Sequence, residues 1–154
     1  MKDKKRKYTV IQYTVNCLPI LKGEVKTYLE TAIPMSLKKA PQLEIVKTVV
    51  EEDYFILYIY ASWQDLEEML DAIPCLMCNK IKEKFPSFME DNFGSIKDHD
   101  GEYPCMWRNC VFNFGYLSDR EIKEIHREWR KRRSIKTLHG VKYWKPDCKD
   151  VLIA

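Results

Sequence analysis

Two periods of apolar residues run through this chain, and the points where one gives way to the other divide it into elements. Lys7 to Val15 (KYTVIQYTV) is rich in β-branched and aromatic residues and reads as a strand, with Thr9, Ile11, Tyr13 and Val15 on one face. Beyond Pro19, residues Leu21, Val25, Tyr28, Leu29 and Ala32 recur at helical spacing, and Pro34 is expected just past the helix end. Leu43 to Val50 and Tyr54 to Ala61 are strand-like runs separated by Glu51-Glu52-Asp53, a connection short enough for an antiparallel hairpin. Ser62 is placed to cap a helix with Asp65 in its first turn and Leu66, Met69, Leu70 and Ile73 as its buried stripe. Pro74 is expected to interrupt that helix, with a second piece running from Cys75 to the region of Lys84. From Phe85 to Asn109 the periodicity fades among Pro86, Gly94, Gly101 and Pro104, which predicts a long loop or short irregular elements. Cys110 to Tyr116 reads as a fourth strand with Cys110, Phe112 and Phe114 on one side. Ser118-Asp119-Arg120-Glu121 has the form of a capping box, opening a helix whose stripe is Ile122, Ile125, His126 and Trp129. In the tail, Gly140 suggests a turn, Val141 to Trp144 a short strand and Val151 to Ile153 an edge element.

The succession β-α-β-β-α-loop-β-α is that of a ferredoxin-like α+β sandwich with an extra carboxy-terminal helix, a single domain over 1–154 with its core in 7–117 and a basic tail in 118–154. In the third strand, alternation separates Phe55, Leu57 and Ile59 from Tyr54, Ile56, Tyr58 and Tyr60. Aliphatic residues suit a helix-covered face. Tyrosines, apolar in body and polar at the tip, suit a face that meets a ligand, a second protomer or the extra helix. Tyr54, Tyr58 and Tyr60 are therefore candidates for ligand or dimer contacts.

Residues 41–73, PQLEIVKTVVEEDYFILYIYASWQDLEEMLDAI, carry a Pro before a strand, an acidic turn, an aromatic-rich second strand and Trp63 opening a helix. This run resembles the hairpin and following helix of the antibiotic-biosynthesis-monooxygenase family of dimeric α+β barrels. The resemblance implies dimerisation through open sheet faces, with Tyr54, Tyr58 and Tyr60 toward a cavity for a small aromatic molecule. The place where the family's helix often presents a His falls near Ala72, and no His stands between Trp63 and Ile73. An RNA-recognition motif has the same element order, but its third strand opens with a basic residue and Gly, where this chain has Asp53-Tyr54-Phe55-Ile56.

Composition narrows the function further. With 154 residues, 45% hydrophobic and 32% charged, the chain has the balance of a folded domain and not of a disordered or collagen-like one. No apolar run is long enough to span a membrane and the amino terminus has no signal-peptide core, so a cytoplasmic protein without membrane partners is expected. Six Cys in such a setting read as reduced thiols or metal ligands. Cys75 and Cys78 have half a zinc-knuckle spacing that Cys105 and Cys110, or His99, would complete as a structural zinc site; no other cofactor is implied. No catalytic residue is assigned, because no Ser-His-Asp grouping, activated Cys or glycine-rich phosphate loop is evident.

The net charge of +3 hides segregation: residues 1–42 carry +6, residues 43–102 carry −9 and residues 120–145 carry +7. Lys123, Arg127, Arg130 and Lys131 share one side of the last helix, Arg132, Arg133 and Lys136 are expected to extend the charge beyond its last turns, and Trp144 lies between Lys142 and Lys145 in the manner of a stacking site. The expectation is a homodimeric, non-catalytic binding or regulatory protein that engages an anionic partner, nucleic acid foremost, through that helix. A dimeric barrel enzyme or carrier for an aromatic molecule, and a module that binds another protein, are the alternatives.

Overall fold

In the computed structural model, residues 4–94, 103 and 105–138 are described, except for the side chains of 16, 109 and 129–138. His99, Trp144 and the tail elements expected beyond residue 138 lie outside the described residues. Four strands, β1 (Lys5–Thr14), β2 (Glu44–Val50), β3 (Tyr54–Ser62) and β4 (Trp107–Phe114), form one sheet in the order β2-β3-β1-β4, with every neighbouring pair antiparallel. The helices are α1 (Glu24–Leu37), α2 (Trp63–Leu70), α3 (Ala72–Lys84), α4 (Phe88–Phe93) and α5 (Asp119–Leu138). The architecture is α+β, and the four strands expected within the described residues are present.

The period-2 pattern of β3 divides the core as its composition demands. Phe55, Leu57 and Ile59 pack with Val10 and Cys110 against Leu29, Ile33 and Leu37 of α1, Leu66 of α2, Ile73, Met77 and Ile81 of α3, and Phe88 and Phe93 of α4. On the other face, Ile11, Tyr13, Ile56, Tyr58 and Val111 pack against Ile122 and Ile125 of α5. The sheet thus lies between a four-helix layer and a single helix.

Several boundaries differ from the sequence expectation. Helix α1 continues through Pro34, and the Lys38 N–H donates to the Pro34 carbonyl (3.2 Å). The ring costs the helix one bond, to the carbonyl of Glu30, an exposed residue that water can serve. The break between α2 and α3 falls at Asp71, before Pro74. Pro74 is the third residue of α3, where a backbone N–H has no intrahelical acceptor, so it opens the second helix instead of ending the first. Its carbonyl accepts from the buried Trp107 Nε1 (2.7 Å). The stretch after Phe85 contains α4, a six-residue helix that buries Phe88, Met89 and Phe93 and is too short to display a period. Strand β4 also begins three residues earlier than expected, at Trp107.

Candidate nucleic-acid interface

Helix α5 is tied to the tyrosine-bearing face at its first turn. Gly115 adopts φ +84°, a left-handed conformation that suits glycine, and its N–H donates to the Lys7 carbonyl (2.8 Å). The buried Thr9 hydroxyl bridges the same turn, donating to the Gly115 carbonyl (2.8 Å) and accepting from the Leu117 N–H (2.9 Å). The capping box forms as the sequence indicated: Ser118 Oγ accepts from the Glu121 N–H (3.3 Å) and donates to Glu121 Oε1 (3.0 Å). Ser62 likewise caps α2, accepting from the Asp65 N–H (3.2 Å).

From this anchor α5 covers the hairpin end of the tyrosine-bearing face. His126 stacks on Tyr13 at 5.8 Å between ring centres and lies 4.9 Å from the Tyr54 ring. Its Nε2 is 3.5 Å from Asp53 Oδ2, a contact that becomes an ion pair when the imidazole is protonated; the two side chains are only 12% and 11% exposed. Tyr58 lies beneath the start of the helix and donates its hydroxyl to the Leu117 carbonyl (3.4 Å). Burial, with the Asp119 carboxylate second, pushes the Tyr58 phenol above its ordinary value.

The opposite end of the same face is differently furnished. Strand β1 begins with Lys5, Arg6 and Lys7, all exposed, and strand alternation sends Lys5 and Lys7 to the tyrosine side and Arg6 to the helix side. Each cation lies near a ring on its own side. Lys5 Nζ is 5.8 Å from the centre of Tyr60, Lys7 Nζ is 5.4 Å from Tyr116, and the Arg6 guanidinium is 5.9 Å from Phe114, itself 47% exposed. From β2, Lys47 Nζ stands 5.9 Å from Tyr58, whose ring meets Tyr116 edge to face at 5.9 Å. Burial pushes the Tyr116 phenol up, with Glu44 and Tyr60 adding to the shift.

The sequence-selected residues are distributed as follows. Tyr58 is buried and Tyr54 half-buried beneath α5, and Tyr60 is half-buried at the open end. Lys123 and Arg127 are exposed on α5, and Arg127 pairs with Glu124 (3.2 Å) in a solvated contact worth roughly 0.3–0.5 kcal/mol at most. Positions 130–136 fall inside the same helix, so Arg132, Arg133 and Lys136 do not lie past its end. Cys75 and Cys78 stand on α3, Cys75 exposed and Cys78 half-buried; Cys105 is exposed, and Cys110 is buried in the helix-side core. Burial pushes the Cys78 thiol up, the nearby Lys82 opposing and the thiols of Cys105 and Cys75 adding to it. Among the described residues no group of three or more His, Cys, Asp or Glu side chains is placed to hold a metal ion. The expected four-Cys site is therefore not assembled: the C-x-x-C spacing lies within a regular helix instead of a knuckle turn, and the fourth thiol points into the apolar core. No described helix is long and apolar enough to cross a membrane.

Lys5, Lys47 and Tyr116 were not identified from the sequence. A strand taken to begin at Lys7 omits the K-R-K alternation, and the partners Tyr60 and Tyr116 become visible only once the register sets Lys7 opposite Tyr60 and the turn at Gly115 swings Tyr116 back over the sheet.

No family model matches the chain, and no curated protein matches it. Among solved structures it is similar to a chain from Deinococcus radiodurans R1 described as a "putative transposase", with a TM-score of 0.61 and 18% identity, covering 84% of this chain and 92% of that one. The likeness is one of fold.

Proposed function

We propose that this protein is a ferredoxin-like nucleic-acid-binding protein that contacts its partner through the basic side of α5 and acts by association instead of covalent chemistry. The observation that carries the reading is the unbroken helical backbone from Asp119 to Leu138. At 100° per residue it sets Lys123, Arg127, Arg130 and Lys131 on one side, away from the Ile122, Ile125 and His126 stripe that packs on the sheet. The two of these cations whose side chains are described are exposed. Twelve residues follow His126 in the helix, about 18 Å of its length, and among them Arg130 to Arg133 are consecutive cations. Trp144, between Lys142 and Lys145 in the sequence, is assigned a stacking role. That a similar fold belongs to a chain named as a transposase supports a nucleic-acid partner over an acidic small molecule.

Fluorescence anisotropy with labelled DNA and RNA, read across a salt series, tests the reading. Each phosphate contacted contributes about −0.9 to the slope of log K against log salt on duplex DNA and about −0.7 on single strands. The charge-reversed variant Arg130→Glu/Arg133→Glu is expected to lose most of a steeply salt-dependent association. An association that is absent, or indifferent to salt, overturns the reading.

A further inference from the structure

We propose that the open end of the tyrosine-bearing face, with Tyr60 and Tyr116 as rings and Lys5, Lys7 and Lys47 as cations, is a stacking platform for unpaired bases of a single nucleic-acid strand. The inference rests on the nucleic-acid reading above but concerns a different surface, on the sheet instead of α5.

Nonspecific single-strand sites combine cations that follow the backbone with aromatic rings on which bases stack, and this end of the sheet supplies both. Lys5 and Lys7, two residues apart on one strand, are separated by about 7 Å along it and each stands over a different ring. A base entering against either ring displaces an ammonium that has a phosphate to turn to at no great distance. The rings are held ready. Tyr116 follows the turn fixed by Gly115, Thr9 and Lys7, and Tyr60 lies in register between Lys7 of β1 and Glu44 of β2. Placing such rings before binding spares the entropy of ordering them afterwards.

The alternative occupants fit less well. A second copy of the chain docking here about a two-fold axis would set the three lysines of one protomer against the same three of the other. Of the large exposed apolar residues on the sheet, Phe114 lies on the helix side with Tyr8 and Arg6, and Val46 of β2 alone does not make the apolar centre that a homodimer interface needs. Glu44, opposite Tyr60 in register, and Asp119, in the first turn of α5, are two carboxylates beside the three cations Lys5, Lys7 and Lys47. A polyanion with flat, unpaired faces satisfies both the charge and the rings. A duplex, whose bases are already stacked, leaves the rings unused.

The test uses the full chain and three labelled probes: an oligothymidylate and an oligouridylate of about 12 nucleotides, within the roughly 4–16 nucleotides that single-strand modules cover, and a duplex of the same length. Tyr60→Ala/Tyr116→Ala is expected to weaken single-strand binding by about 10-fold or more with an unchanged salt slope, while Tyr60→Phe/Tyr116→Phe retains it. Lys5→Glu/Lys7→Glu is expected to weaken it and to flatten the slope by about 1.4, two phosphates at 0.7 each. If the alanine pair misfolds by circular dichroism, Lys47→Glu, on an exposed position of an edge strand, reads the same surface. Loss of binding in the α5 variants with no change in any of these variants overturns the platform and leaves the nucleic-acid reading standing. Binding to none of the three probes overturns both. Capture of an acidic protein that survives nuclease treatment and is lost in Tyr60→Ala/Tyr116→Ala, with binding of the probes unchanged, also overturns the platform. The thymidylate and uridylate arms separate DNA from RNA.

Discussion

The covered and open ends of the tyrosine-bearing face are built from the same two strands, β1 and β3, yet tyrosine does different work in each. At the covered end Tyr13 and Tyr54 stand opposite one another in register, and α5 brings His126 against both rings and against Asp53. There Tyr13 is buried as core and Tyr54 is half-buried, with the His126 imidazole against both. At the open end, Tyr60 pairs with Lys7, and the groups that approach the rings are lysine ammoniums instead of the His126 imidazole. About 20 Å of strand separates the two ends, six residues at the usual rise. The lesson is that an aromatic-rich strand face is not one site. What it does at each point depends on what the next element brings over it, and α5 begins midway along.

That contrast predicts unequal responses to mutation. The largest stability effect belongs to the covered end: Ile122, 5% exposed, is the buried apolar residue of α5 among its described side chains, and Ile122→Ala is expected to cost roughly 2–5 kcal/mol by urea denaturation. Under the same measurement, truncation of the half-buried Tyr60 is expected to stay within about 1 kcal/mol. Equal losses at the two positions would remove the distinction between them.

The smaller effect is one of pH. The folded Tyr58 phenol titrates above its ordinary value of 10.0, chiefly because it is buried. The stability that its protonated form contributes is therefore fully present below pH 10 and is lost as pH rises through the higher folded value. Tyr58→Phe is expected to change neutral stability by less than about 1 kcal/mol, since the bond it removes is a long one, and to lessen the alkaline loss. Denaturation curves at neutral and alkaline pH check this; an alkaline loss as steep in the variant as in the unaltered protein contradicts it.

Much of the architecture was legible because it depends on period and capping. The two faces of β3 could be read from alternation, and the start of α5 from Ser118 and Glu121. What escaped were features decided by geometry between distant residues. Pro34 does not end a helix when the bond it removes is to an exposed residue, Glu30, and Pro74 does not break one when it falls within a first turn. The Cys spacing suggested a metal site because a C-x-x-C pair reads alike in a turn and in a helix, and only the surroundings tell them apart. On the candidate interface, the basic helix was visible as a run of cations. The platform was not, since it joins β1, β2, β3 and the turn after β4, segments up to about a hundred residues apart in sequence that only strand register brings together.

The most direct measurement is photo-crosslinking of the full chain to an oligonucleotide carrying iodouracil, followed by peptide mapping. The account predicts adducts on Tyr60 and Tyr116, with Tyr13 and Tyr54 beneath α5 unmodified. Adducts confined to the helix-covered side of the sheet, or spread equally over the covered and open tyrosines, would contradict it.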